Sequence, residues 1–317
     1  MQLPPNSVIA IVGCTASGKG AVAREIATRL GGEIVSVDSM KIYRTMDIGT
    51  AKPAAAHRAA IPHHLIDVAD PWDAFSAARY VDLADAAIDD IHSRGKPAIV
   101  VGGTIMYFRF LYEGVFEGPS ADDAFRAEIR RRAAVEGVEA LHAELAAIDP
   151  DAAARIHRND IKRIERALEV YALTGAPISK LQKQWADGSR LRRDDWHWRV
   201  FALRRDRDDA NRRINARVRR MIDEGLEAEA RRLFDDPRGI SEPARQAVGY
   251  AEWFAHFAGK LKRDEAVERI KINSRRLGKH QRTWLRRFPG VTWIEVAENA
   301  TVDGVADAIT AALHTPN

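Results

Sequence analysis

Short apolar runs alternate with amphipathic stretches in the early part of the chain. The runs are Val8 to Val12, Glu33 to Val37 and Ala98 to Val101, each followed at once by Gly or Asp. Between the first two, Val22, Ile26 and Leu30 fall on one helical face. This alternation predicts parallel βα units. Trp198 to Leu203 and Val291 to Val296 are further strand candidates flanking another helical stretch, so the sheet is expected to be completed by residues distant in sequence. Between Gly118 and Arg193 the pattern changes to charged, alanine-rich helix without a strand, bounded by Gly118-Pro119-Ser120 and by the polar stretch Asp187 to Asp195. The expected organisation is an α/β core, residues 1–117 and 194–317, with an inserted helical domain over 118–193. No internal repeat interrupts it.

Composition narrows the class. With 317 residues, 46% hydrophobic and 30% charged, the chain can bury a full core. A single cysteine, Cys14, excludes an intramolecular disulfide and a cysteine-based zinc site. The opening MQLPPNSVIAIVG lacks a basic segment followed by a long apolar run, and no stretch approaches the roughly 20 apolar residues of a membrane span, so a cytoplasmic location and no membrane partner are expected. The net charge is only +4, yet arginine clusters in the later half, and a polyanion responds to local patches rather than to the sum. A run such as Arg130-Arg131-Arg132 is by itself more often a solvated helix face than a binding site.

Gly13-Cys14-Thr15-Ala16-Ser17-Gly18-Lys19 follows a buried-strand pattern and opens a helix, the context in which G-x-x-x-x-G-K cradles phosphate. Backbone N–H groups from Gly13 to Gly20 and the positive helix N-terminus would converge on the anion, with Lys19 as a point charge. The bland alternative is a glycine turn capping a helix. Gly20 stands where Ser or Thr normally gives a hydroxyl to Mg²⁺, so the metal shell is unknown and weakened metal use is expected, water being able to complete the shell. A P-loop alone would indicate a kinase or ATPase. Val37-Asp38-Ser39-Met40, however, places a carboxylate at the carboxyl end of a strand expected to neighbour the P-loop strand, where ligands bind in open α/β sheets. Asp38 could hold Mg²⁺, act as a general base, or merely cap a turn.

Several motifs then occur in order: GCTASGKG, DSMKIYRTMDIGTAKP (Asp38 to Pro53), PHHLID from Pro62, and Val101-Gly102-Gly103-Thr104-Ile105-Met106-Tyr107. ARIHRND, RALEVY and TGAPIS follow between Asp149 and Ser179, then QAVGY (Gln246 to Tyr250) and SRRLGKHQRTWLRR (Ser274 to Arg287). Together they resemble the bacterial tRNA dimethylallyltransferase family along almost the whole chain. The resemblance implies a P-loop NTPase-like core with a mostly parallel sheet flanked by helices, and an inserted all-helical domain. It implies transfer of the dimethylallyl group from dimethylallyl diphosphate to the exocyclic amine of the adenine at tRNA position 37, 3′ of the anticodon, in tRNAs reading codons that begin with U. Mg²⁺ is the expected cofactor, tRNA (the anticodon stem-loop) the partner, and a monomer the expected state.

By the same resemblance Asp38 is the base, worth about 10²–10⁴ in rate. Thr104 lies beside the amine and leaving group. Lys19, Gly13, Thr15, Ala16, Ser17, Gly18, Gly20, Arg213 and Arg217 hold the diphosphate. Asp38, Ser39, Met40, Lys41, Thr104, Arg126, Lys162, Arg163, Arg166, Gln246, Arg275, Lys279 and Arg282 contact tRNA. Departures from the family pattern are Gly20, Cys14 where proline is usual, Lys41 where glutamine or an apolar residue is commoner, and Ile105-Met106.

Lys271, Arg275, Lys279, Arg282 and Arg286 recur at helical steps within a narrow arc, the face expected to meet phosphate. Val267, Ile270, Leu277 and Trp284 occupy another arc, expected to pack on the core. Other readings stay open: a free adenine-nucleotide prenyltransferase, a kinase or ATPase, or a tRNA-binding protein that has lost catalysis because of Gly20.

Overall fold

Strands that are apolar on both faces become the interior of one parallel sheet. The computed structural model describes residues 3–114, 118–182 and 193–314. In chain order the first elements are β1 (Ser7–Gly13), α1 (Lys19–Leu30), β2 (Glu33–Val37), α2 (Ala55–Ala60), β3 (His63–His64), α3 (Ala77–Ser93), β4 (Ala98–Gly102) and α4 (Ile105–Glu113). The helices α5 (Asp123–Glu136), α6 (Val138–Ile148), α7 (Pro150–Arg155), α8 (Ile161–Thr174) and α9 (Ile178–Leu181) follow. The chain then continues with β5 (His197–Arg204), α10 (Arg207–Asp223), α11 (Leu226–Phe234), α12 (Glu242–Arg245), α13 (Tyr250–Phe257), α14 (Arg263–Leu285), β6 (Val291–Glu295) and α15 (Val302–Leu313).

Two compact units result, Met1–Tyr112 with Arg192–Asn317, and Glu113–Leu191. Asp187 to Arg192, in the polar stretch that bounds the expected inserted domain, lies outside the described residues, as does position 117. The first unit holds a six-stranded sheet in the order β3-β2-β4-β1-β5-β6, and every strand pairing among the described residues is parallel. Such strands need apolar side chains on both faces because helices cover both. Ile9, Ile11, Ile34, Ile99 and Phe201 pack with Val22 and Ile26 of α1 and with Val305 and Ile309 of α15 in one cluster, and Leu30 joins its edge. Burying each such side chain is worth about 1.5–3 kcal/mol.

The strand order corrects one expectation: β2 does not neighbour β1, because β4 lies between them. The β1–α1–β2 crossover skips one position in the sheet, and β4 fills it. Gly102 makes this possible, since a Cβ there would lie 1.8 Å from the Val37 carbonyl oxygen. In register, Gly102 faces both Val12 and Val37. The carboxyl ends of β1, β4 and β2 therefore stop at one level, and the segments leaving these three strands meet above the sheet edge.

A second correction concerns α14. Its buried residues are Ala266, Ile270, Gly278 and Leu285, whereas Leu277 and Trp284 are 42% and 44% exposed. Gly278 is the cause: a Cβ on it would sit 3.5 Å from Ile214 and 3.6 Å from Thr15, so the helix lays this side-chain-free position onto α10 and the P-loop. That phase turns Leu277 towards a cavity at the sheet edge, whose wall it joins.

The second unit is helical throughout its described residues and has its own core of Ile129, Leu141, Leu145, Ile164 and Leu168. Buried Asp149 organises one corner, its two carboxylate oxygens accepting the backbone N–H groups of Ala152 (3.0 Å) and Ser179 (2.9 Å).

Candidate active site

A cavity of about 640 Å³ opens where β1, β4 and β2 end, and the P-loop, Asp38, Gly102 and Gly103 line it. Gly18 takes the left-handed conformation (φ 95°) as N-cap of α1, turning the loop so that its amides precede the helix. Such a helix start gathers unpaired N–H groups and positive potential at one point.

The loop is held from several sides. Buried Arg205 donates to the Ser17 carbonyl (3.0 Å) while pairing with Asp209 (2.9 Å) and the Ala297 carbonyl (3.0 Å). From α10, Arg213 donates to the Ala16 carbonyl (3.3 Å) and Arg217 to the Thr15 hydroxyl (3.3 Å). Helical spacing puts Arg213, Arg217 and Arg220 on one side of α10, all lining the cavity, while Ala210, Ile214, Val218 and Met221 are buried. Gln281 of α14 bridges the two glycine loops: its Oε1 accepts from Thr15 N (2.7 Å) and its Nε2 donates to the Gly103 carbonyl (2.8 Å).

Positive charge dominates the cavity. Lys19 donates to the Cys14 carbonyl (3.2 Å), and burial together with the Lys41 and Arg217 charges pushes its ammonium down to about 8. Burial lowers Lys41 too, with Arg217, Arg24 and Lys52 adding repulsion against the attraction of Asp38. Arg24 of α1 lines the same space and is likewise lowered by burial. Lys52 differs, because its ammonium is already held by the Tyr43 carbonyl, Asp47 and Asp67, each at 2.6 Å.

Asp38 is the carboxylate of the wall. Its Oδ1 accepts from the backbone N–H groups of Met40 (3.0 Å) and Lys41 (3.3 Å), so the turn-capping role is real. Capping occupies one oxygen and leaves the other without a hydrogen-bond partner among the described residues, so the cap orients the carboxylate rather than consuming it. Thr104 accepts from Ser39 N (3.0 Å) and donates to the Ser39 hydroxyl (3.2 Å), stitching the end of β4 to the end of β2. Its neighbour Gly103, not Thr104, belongs to the cavity wall.

The stretch after Asp38 is fixed by a residue the sequence reading missed. The buried Glu229 carboxylate of α11 accepts from Asp47 N (3.0 Å), Ile48 N (2.9 Å), Gly49 N (3.1 Å) and the Tyr250 hydroxyl (2.6 Å). It thereby positions Gly49, Thr50, Ala51 and Lys52 in the wall. Gln281, Arg205, Arg24 and Arg220 were missed as well. Only Gln281 lies inside one of the family motifs, and Arg24 carries a weak signal as the residue one helical turn beyond Gly20.

The residues expected to contact tRNA divide into groups. Ser39, Met40 and Lys41 follow Asp38, and Met40 and Lys41 line the cavity. On α14, Arg275 donates to Asn215 (2.6 Å), Lys279 is exposed, and Arg282 keeps one buried N–H group, Nη1, without a partner. Gln246 is exposed and hydrogen-bonded to Glu242. Arg126, Lys162, Arg163 and Arg166 belong to the second unit. There Arg126 forms a bidentate pair with Glu169 (2.7 and 2.9 Å), Arg166 reaches Glu169 (2.6 Å), Arg163 faces Asp160 (3.4 Å), and Lys162 is exposed.

The family model described as IPP transferase matches residues 41–288. A tRNA dimethylallyltransferase of Methylococcus capsulatus is 46% identical over 316 residues, covering 98% of this chain and 99% of that protein. One from Geobacter metallireducens is 46% identical over 288 residues, covering 91% and 92%. This chain belongs to the tRNA dimethylallyltransferase family. Among solved structures, the tRNA isopentenylpyrophosphate transferase of Bacillus halodurans superposes with a TM-score of 0.70 at 39% identity, covering 97% of each chain. A eukaryotic dimethylallyltransferase described as acting on tRNA gives 0.78 at 25% identity, covering 96% of this chain and 77% of that one. The family model begins at Lys41, beyond the P-loop, so membership through the P-loop rests on the long pairwise matches. No described helix is long and apolar enough to cross a membrane.

Proposed function

We propose that this transferase moves the dimethylallyl group from dimethylallyl diphosphate to the exocyclic amine of the adenine at position 37 of tRNAs that read codons beginning with U. The observation that carries this reading is one carboxylate, Asp38, in a cavity whose wall also carries a P-loop and Lys19, Lys41, Arg24, Arg213 and Arg217. The amine nitrogen forms a bond to the prenyl carbon as the carbon–oxygen bond to diphosphate breaks. Asp38 accepts the proton released by the amine. Lys19, the loop amides and the α10 arginines take up the charge gathering on the leaving diphosphate, where a fixed, partly dehydrated field is most effective. Thr104 acts beside them by setting Ser39, and so the turn that carries Asp38.

Mg²⁺ enters this reading as a counter-ion of the diphosphate. A P-loop usually offers it a Ser or Thr hydroxyl, and Gly20 has none. The Ser17 hydroxyl is buried without a partner, and Ser17 is not part of the cavity wall. Among the described residues no cluster of three or more His, Cys, Asp or Glu could hold a metal ion. The donors among the described residues therefore do not compose a protein-held Mg²⁺ site, although an ion carried by the diphosphate and water is compatible with the cavity. No step of the transfer passes through it.

The adenine would reach Asp38 from an unpaired loop, which costs less unstacking than a duplex. The basic residues of α14 and of the second unit are the proposed tRNA contacts, with a monomer in the cytoplasm as the working state. The test is transfer of radiolabelled dimethylallyl groups to unmodified tRNA and, separately, to AMP. Label in the adenine 3′ of the anticodon supports the reading. Label in AMP with none in tRNA would replace it with a free-nucleotide prenyltransferase.

A further inference from the structure

Gly20 and Lys41 are both departures from the family pattern, and both line the same cavity. Arg24 lines it too, one turn along α1 from Gly20, its Nη1 3.9 Å from where a Cβ on residue 20 would be. Arg24 has an acidic neighbour in sequence, yet Glu25 pairs with Arg29 (2.7 Å) instead. The Arg24 guanidinium and the Lys41 ammonium have no ion-pair or hydrogen-bond partner among the described residues, and both are half-buried. Half-buried cations that share one cavity cost free energy unless an anion joins them. Burial pushes Lys41 towards its neutral form, with the Arg217 and Arg24 charges adding to it against the attraction of Asp38, and burial lowers Arg24 as well.

We propose that Arg24 and Lys41 replace, in this chain, the charge that a P-loop-held Mg²⁺ brings to the diphosphate, so that dimethylallyl diphosphate binds almost independently of the ion. The inference rests on the diphosphate reading of the cavity. Each side chain brings one positive charge, together the charge of one Mg²⁺, and neither needs the hydroxyl that Gly20 lacks. The same two cations make the neighbourhood of residue 20 hostile to a further dication. Gly20 then has a physical account: an oxygen ligand there would serve an ion that the guanidinium keeps out.

Calorimetric binding of inorganic pyrophosphate and of dimethylallyl diphosphate to the full chain, in EDTA and in excess Mg²⁺, tests this without reference to turnover. The wild type is expected to bind within about fivefold under the two conditions. Unit charges several ångströms apart at an effective dielectric near 20 interact by a few kcal/mol. Arg24→Gln and Lys41→Gln are therefore each expected to weaken binding in EDTA by about tenfold or more, with Mg²⁺ restoring part of the loss. Because the two side chains are unpaired in the free protein, both variants should melt no lower than wild type, which separates lost charge from lost folding. Wild-type binding that falls a hundredfold in EDTA, or variants that bind like wild type in EDTA, would overturn the inference and leave the diphosphate reading intact. Absence of binding under both conditions would overturn the diphosphate reading and this inference with it.

Discussion

The second unit and the cavity of the first use arginine in opposite ways. In the second unit Arg126 and Arg166 converge on buried Glu169, Arg130 on Glu165, and Arg132 on Glu136 and Glu144. In the cavity of the first, Lys19, Arg24, Lys41 and Arg217 have no ion pair among the described residues, and Asp38 is the wall's carboxylate. Cations neutralised by their own chain have already done their electrostatic work within the fold. Cations that outnumber the one carboxylate beside them hold their field in reserve for an anion, at the expense of some stability.

That contrast can be broken experimentally, and the largest effect expected is on stability. Glu169→Gln strands Arg126 and Arg166 beside a neutral amide; breaking a buried pair costs about 3–5 kcal/mol. Urea unfolding of the variant should show a loss of that order with pyrophosphate affinity unchanged. A loss of affinity would mean that the second unit's pairs also act on the diphosphate site.

Next in size is the pH dependence of diphosphate binding. Lys19 titrates near pH 8 in the free protein, and a bound polyanion must raise that value. The sign follows from linkage: binding favours the protonated form, so affinity holds below about pH 8. Above it, affinity declines by up to tenfold per unit until the pKa of the complex is reached. Calorimetry from pH 7 to 9.5 measures this, and Lys19→Gln should flatten the curve while weakening binding throughout. A wild-type curve already flat would remove Lys19 from the diphosphate site.

A smaller effect is expected at Gln281, whose amide ties Thr15 to Gly103. Gln281→Ala leaves the diphosphate cations in place, so KM for dimethylallyl diphosphate should rise severalfold with a smaller change in kcat; a fall in kcat with KM unchanged would instead mean that it acts on the reacting atoms. Least affected should be Arg163→Ala, whose exposed pair with Asp160 is worth at most about 1 kcal/mol. Its melting temperature should be close to wild type.

Much of this could be read from sequence because it is local. Apolar runs gave five strand positions but not β3, the two-residue pair His63–His64, and G-x-x-x-x-G-K with the strand-end Asp38 gave two of the groups that meet in the cavity. Strand order could not be read that way: the placement of β4 between β1 and β2 depends on Gly102 passing the Val37 carbonyl, a contact between residues far apart in the chain. The phase of α14 failed for a related reason. Leu277 and Trp284 look like core by composition, but the helix seats Gly278 against Ile214 and Thr15, and a missing side chain leaves no apolar signal. Glu229 and Gln281 escaped notice because nothing local distinguishes a surface Glu or Gln from one that organises distant loops. Family motifs pointed to several residues that line the cavity, yet they could not say which arginines are already paired.

The measurement that bears most directly on the account is single-turnover transfer from dimethylallyl diphosphate to unmodified tRNA by Asp38→Asn. Asparagine can keep the Oδ1 hydrogen bonds from Met40 and Lys41, so the turn survives while the base is lost. The account predicts a rate lower by about 10²–10⁴, with pyrophosphate affinity equal to or better than wild type. Transfer at the wild-type rate would contradict it, because the carboxylate at the end of β2 would then be a cap and nothing more.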